Sequence, residues 1–175
     1  MKKPASLPSA PAADPVALDS WFEMCRPFLV LIARQRVRCQ SDAEDVVQES
    51  LVRYWRWGRR HATDPKAYLV RCVHRAASDF LQAQNHRTRR AQGSALEAAE
   101  PMFECVLELQ ERRVVLEEAL SRLSEEQRTV LIMHIWGEMT FAQVGEALEI
   151  SPNTAASRYR YALEGLRGLL GPGGS

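Results

Sequence analysis

Five times along this chain, a short hydroxyl or carboxylate residue stands just ahead of a run whose apolar residues recur three and four positions apart. The starts are Ser41-Asp-Ala-Glu44, Asp64-Pro65, Ser124-Glu-Glu-Gln127, Thr140-Phe-Ala-Gln143 and Ser151-Pro152. Each is a helix-initiation signal. A Ser, Thr or Asp oxygen accepts from one of the first unpaired backbone N–H groups, and a Glu or Gln three residues on reaches back to complete a capping box. Pro suits the first helical position because no N–H is left unpaired there. No stretch alternates apolar and polar residues for long enough to make a strand. The pattern predicts an all-α fold in which each helix buries one stripe.

The first helix is expected from about Val16 to Arg38, with Trp21, Phe22, Cys25, Phe28, Leu29, Ile32 and Ala33 on one apolar face and a kink or break at Pro27. The second runs from Asp42 to about Trp57. Its spacing turns Val46, Val47, Leu51, Tyr54 and Trp55 inward and Asp42, Asp45, Gln48, Glu49, Val52, Arg53 and Arg56 outward. A loop over 58–63 leads to a third helix, reaching about His86, which buries Tyr68, Leu69, Cys72, Val73, Ala76 and Phe80 and shows Arg71, His74, Arg75 and Gln82 on other faces. Periodicity is lost over 87–104, where Gln92-Gly-Ser94 and Pro101 fall. A second set of helices begins near Phe103–Cys105 and runs to about Leu123. It continues from the Ser124 box to Trp136, where Gly137 ends it, then from Thr140, and finally from Ser151 to about Leu170. The expected organisation is a disordered tail over 1–17, two small helical domains over 18–90 and 105–170, and a flexible linker over 91–104.

Net charge is +1, but it is unevenly distributed. Residues 1–90 hold 16 basic and nine acidic side chains, and residues 91–175 hold seven and 13. Within the first half, residues 53–90 carry ten basic groups and two acidic ones, interleaved with aromatics. A basic stripe of this kind suits a nucleic-acid backbone, although a solvated basic face would look the same in isolation. Residues 97–126 carry three basic and nine acidic groups, a complement to that stripe which opposite charge alone would draw together in the free chain.

Several function classes are disfavoured. The cysteines at 25, 39, 72 and 105 form no Cys-x-x-Cys pair and sit at no ligand spacing from a histidine, so no metal site is expected and buried free thiols are. There is no phosphate loop, nucleophile elbow or Rossmann-like pattern, so neither an enzyme nor a bound cofactor is expected. Apolar runs fall short of a membrane span, and Pro4, Pro8, Pro11 and Pro15 interrupt any secretory core at the N-terminus, so the expected location is cytoplasmic.

Thr140–Leu163 has the layout of a helix-turn-helix: two short helices, a tight turn, and Arg and Tyr along the second helix, which in such motifs lies in the DNA major groove. A helix-turn-helix behind a basic module fits two kinds of DNA-binding protein. One is an autonomous regulator that binds duplex DNA as a dimer. The other is a subunit of a larger transcription machine. An enzyme with an appended DNA-binding module fits less well.

Asp42-Ala-Glu-Asp-Val-Val-Gln-Glu-Ser-Leu-Val-Arg-Tyr-Trp-Arg56 resembles region 2.2 of bacterial RNA polymerase sigma factors. Leu123-Ser-Glu-Glu-Gln-Arg-Thr-Val-Leu131, followed by Thr140–Leu163, resembles their region 4. With these two modules and a short linker, the chain resembles a sigma factor of the extracytoplasmic function (ECF) group over about residues 18–90 and 105–170.

The resemblance implies a promoter-specificity subunit with core RNA polymerase and promoter DNA as partners. Contacts would be made to the β′ clamp helices and the β flap, and an anti-sigma factor is a possible further partner. It implies that Asp42, Glu44, Asp45, Gln48 and Glu49 belong to the core-binding surface. It implies that Arg59, Arg60, His61, Lys66, Arg71, His74 and Arg75 line the groove where the −10 element is melted, with Trp57 and Tyr68 as candidate stacking surfaces. It further implies that Asn153, Thr154, Ser157, Arg158 and Arg160 meet the −35 element. The match is not complete. Arg75 stands where the family commonly has Asn and Gln82 where it has Arg, while Asp79 agrees. Ala156 and Tyr161 replace a family Lys and Arg, which implies fewer phosphate contacts and weak stand-alone −35 binding.

Overall fold

Residues 15–58, 62–90 and 110–170 are described by a computed structural model, and their regular structure is helical throughout. The expected tail up to residue 14, loop positions 59–61, the expected linker at 91–104, Cys105 and residues 171–175 lie outside the described residues. The rest divides into two compact units, one holding residues 15–90 and the other 110–170.

The N-terminal unit packs three helices: α1 (Pro15–Ala33), α2 (Gln40–Arg53) and α3 (Pro65–Arg90). Their meeting faces bury Trp21, Leu29, Ile32, Val47, Leu69, Val70 and Val73, and the connection after α1 adds Val37. Trp21, Phe22, Tyr54 and Tyr68 form a chain of rings with centroids 5.3 to 6.4 Å apart, in the tilted and edge-on geometries that aromatic quadrupoles favour.

Around α1 and the start of α2, the structure departs from local expectation, each time for a physical reason. Pro27 does not break α1, which runs through it as one helix. Pro27 and Glu23, whose carbonyl loses its N–H partner, both face solvent, so water can take the place of the missing bond. The helix stops at Ala33 rather than Arg38, because Gln35 Nε2 donates back to the Leu31 carbonyl (2.9 Å) and Arg34 Nη1 to that of Arg38 (2.6 Å), closing a turn. The Ser41–Glu44 capping box does not form. Helix α2 starts at Gln40 with Cys39 as N-cap and no side-chain cap, Ser41 Oγ instead meets Cys39 Sγ at 2.9 Å, and Glu44 Oε1 accepts from Gln40 Nε2 at 2.9 Å.

Helix α2 leads into a five-residue π-helical turn, Tyr54–Gly58. Tyr54 and Gly58 are buried while Trp55, expected inside, is 42% exposed and Trp57 66% exposed. The wider π turn rotates the ring set relative to a continuous α-helix. Glycine is required at 58 because a Cβ there would lie 2.5 Å from the Tyr68 ring and 2.7 Å from that of Tyr54. Asp64 caps α3 as expected, with its Oδ1 accepting from the Ala67 N–H at 3.0 Å.

The C-terminal unit contains α4 (Gln110–Ser121), α5 (Glu125–Ile135), α6 (Phe141–Leu148) and α7 (Pro152–Leu170). Thr129 to Met133 are consecutively buried, so α5 is wrapped on several sides by its neighbours. The boxes at Ser124 and Thr140 both form reciprocally. Ser151 Oγ accepts from the Thr154 N–H at 3.0 Å, capping α7.

Candidate nucleic-acid interface

The turn between α6 and α7 sets the pose of the last helix. Glu149 closes α6 in the left-handed region at φ 58, and the Ile150 N–H donates to the Gly145 carbonyl at 3.0 Å. A Cβ on Gly145 would sit 2.7 Å from the Ile150 carbonyl oxygen, so glycine is what lets the turn close on α6. His134 of α5 locks the other side: its Nδ1 lies 2.8 Å from the Met139 carbonyl, its ring stacks on Phe141 at 4.5 Å and meets Tyr159 edge-on at 4.6 Å.

Held this way, α7 buries Ala155 and Ala162 and presents Asn153, Thr154, Arg160 and the 52%-exposed Tyr161 to solvent, with Ser157 partly covered. The Arg160 guanidinium lies over the Tyr161 ring, 5.1 Å from its centroid. Arg158 is placed differently. It turns toward α5, where its Nη2 is 2.7 Å from Glu126 Oε2. The two arginines are two residues apart, about 200° of rotation on a helix, and so leave it on nearly opposite sides.

In the N-terminal unit, Asp45, Gln48, Glu49 and Val52 are exposed along one face of α2. Asp42 and Glu44 are half-buried, and Glu44 Oε2 also lies 3.9 Å from Arg26. Glu49 pairs with Arg53 at 3.0 Å, an exposed contact that adds little stability. Beyond this face come Trp55 and Trp57, followed by α3.

The seven basic positions expected around α3 behave unequally. Arg71 rests its guanidinium 5.2 Å from the centre of the Tyr68 ring, and Arg75 is exposed. Lys66 is buried, and its charge acts on the Cys25 thiol, whose pKa burial nonetheless pushes up to about 12. His74 does not supply charge as expected. Burial, helped by the nearby Arg36 and Arg75 cations, lowers its pKa to about 4, so the ring is neutral near pH 7. Arg59, Arg60 and His61 lie outside the described residues. Trp55 was missed as a surface residue, since helical spacing alone turns it inward.

Residues 21–87 match the family profile of Sigma-70 region 2, and residues 113–165 that of Sigma-70 region 4. The chain is 32% identical over 155 residues to the ECF RNA polymerase sigma factor SigJ of Mycobacterium tuberculosis (strain ATCC 25618 / H37Rv), a match over 82% of this chain but only 49% of SigJ. It is 31% identical over 153 residues to the ECF RNA polymerase sigma factor SigK of Mycobacterium ulcerans (strain Agy99), covering 83% of this chain and 81% of that one. Among solved structures, the sigma factor RpoE of Bartonella quintana, crystallised in complex with the anti-sigma factor NepR, shares the fold. Its TM-score is 0.69 at 21% identity, over 89% of this chain and 97% of that one. The chain belongs to the sigma-70 family of RNA polymerase sigma factors, in its ECF group.

Proposed function

We propose that this chain binds core RNA polymerase and directs it to promoters, with the N-terminal unit docking on the β′ clamp helices and opening the −10 element and the C-terminal unit, beside the β flap, reading the −35 element. The observation that carries this is the pairing, in one chain, of a polar α2 face running into two exposed tryptophans with a helix-turn-helix whose last helix presents polar and basic groups outward. An autonomous regulator needs the second feature and has no use for the first.

The five α2 residues divide under this proposal. Asp45, Gln48 and Glu49 offer a hydrated acidic surface beside apolar Val52, a mixture that suits a protein interface. Asp42 and Glu44, half-buried, shape its N-terminal edge. Trp57 provides a stacking face for an unpaired base, with Arg71 and Arg75 as phosphate contacts and Arg59, Arg60 and His61 completing the groove. Lys66, which is buried, acts on packing, and His74, partly buried and neutral, adds no charge to the groove. Asn153, Thr154, Ser157 and Arg160 meet the duplex, joined by Tyr161, while Arg158 stands apart. The chain performs no chemistry of its own: phosphodiester bond formation belongs to the polymerase, and the chain works where the chromosome is, in the cytoplasm. An anti-sigma partner, like the one bound to the Bartonella protein, would have both modules to mask.

The test is reconstitution. The full chain, mixed with sigma-free core polymerase and a pool of genomic fragments, should give transcripts with defined 5′ ends that core alone does not give. Failure to form a stable complex with core would overturn the proposal, and duplex binding by a free dimer would favour the regulator.

A further inference from the structure

The helix expected to read DNA is poor in cations. Residues 152–170 hold three basic groups, Arg158, Arg160 and Arg167, against Glu164. One of the three is neutralised from outside the helix, by Glu126 at 2.7 Å from Arg158. Glu126 sits in the first turn of α5, which begins with the Ser124 capping box, so its backbone is fixed. Its side chain is 64% exposed and that of Arg158 only 25%. An ion pair this close to water contributes little to stability, so fold maintenance is a weak reason for tying down an arginine on a cation-poor reading helix.

The effect on DNA contact is more direct. A free arginine on the flank of a major-groove helix swings to the nearest phosphate, a contact that adds affinity for any sequence and carries no sequence information. Arg160, on the nearly opposite side and braced by the Tyr161 ring, is positioned for the groove. We propose that Glu126 is a positioning residue for promoter discrimination: it holds Arg158 against α5 and withholds it from the phosphate backbone, so that α7 engages DNA through Asn153, Ser157, Arg160 and Tyr161.

This rests on α7 being the DNA-contacting helix, and the experiment separates the two claims. Holoenzyme assembled from core polymerase and the full chain is titrated against a fluorescent duplex of scrambled sequence over a series of KCl concentrations. The measurement is repeated with Glu126→Gln, Arg158→Ala, Arg160→Ala and the double variant E126Q/R158A. Releasing Arg158 adds one phosphate contact, so E126Q should bind the scrambled duplex several-fold more tightly and steepen the slope of log K against log salt by about 0.9. R158A should leave the slope unchanged, and the double variant should return to the parent value, which a purely structural role for Glu126 would not produce. R160A should make the slope shallower. If R160A does so while E126Q changes neither affinity nor slope, or if R158A alone makes the slope shallower, the positioning role of Glu126 is wrong. If neither R160A nor E126Q alters DNA binding, α7 is not the contact and the functional assignment of the C-terminal unit falls with it.

Discussion

Single residues set the geometry of this protein at the points where backbone or charge has no slack. Gly145 and Glu149 bracket the helix-turn-helix turn with opposite demands. Gly145→Ala should destabilise the C-terminal unit by about 1–3 kcal/mol, because the new Cβ meets a backbone oxygen rather than a yielding side chain. Glu149→Gly should stabilise it by about 1 kcal/mol, since the left-handed conformation at φ 58 strains a residue with a Cβ. Urea denaturation followed by circular dichroism would measure both, and a neutral G145A would mean the turn can re-close. His74 makes stability depend on pH. Its folded pKa of about 4 lies below the unfolded value near 6.5, so the unfolded chain takes up a proton first and stability falls as pH drops through that window. Between pH 7.5 and 5 the loss from this group should be about 2 kcal/mol, and His74→Gln should remove that component of the pH profile. An unchanged profile in the variant would show that the ring is solvated.

Among the helices, termini and turn type decide more than apolar stripes do. Three helix starts in the C-terminal unit form as their sequences specify, at Ser124, Thr140 and Ser151. The box at Ser41 has the same signature and does not form, because the helix begins two residues earlier and Cys39 takes the cap position. The two cases separate by mutation. Thr140→Ala should cost about 1 kcal/mol, as the loss of a working N-cap does, whereas Ser41→Ala should cost less than about 0.5 kcal/mol, as an exposed substitution off any cap does. Equal costs in thermal melts would show that Ser41 caps α2 in solution. The π turn at Tyr54–Gly58 is the clearest case of structure that spacing hides. Extending α2 with α-helical periodicity buries Trp55, whereas the π turn moves it to the surface beside Trp57 and lets Gly58 slot between Tyr54 and Tyr68.

Across the molecule, the two halves of the work should be separable by mutation. Reversing charge on the α2 face with Asp45→Lys and Glu49→Lys should abolish co-elution with core polymerase, and with it all specific initiation, while the helical signal of the free chain is retained. Trp57→Ala should keep core binding and lower open-complex formation about tenfold, the scale of one lost base-stacking contact. If W57A initiates like the parent, the exposed tryptophan is not a stacking platform. The sequence alone determined the helical class, the caps at Asp64, Ser124, Thr140 and Ser151, the polar face of α2 and the resemblance to sigma regions 2 and 4, because capping chemistry and helical period act between residues a few positions apart. Tertiary structure decided the rest: that Pro27 is tolerated, that Trp55 faces out, that Lys66 is buried and His74 is partly buried and neutral in a stripe that looked uniformly basic, and that Arg158 is held by Glu126. Burial, charge state and pairing depend on neighbours brought in from other helices, and a one-dimensional period carries no information about which neighbour arrives.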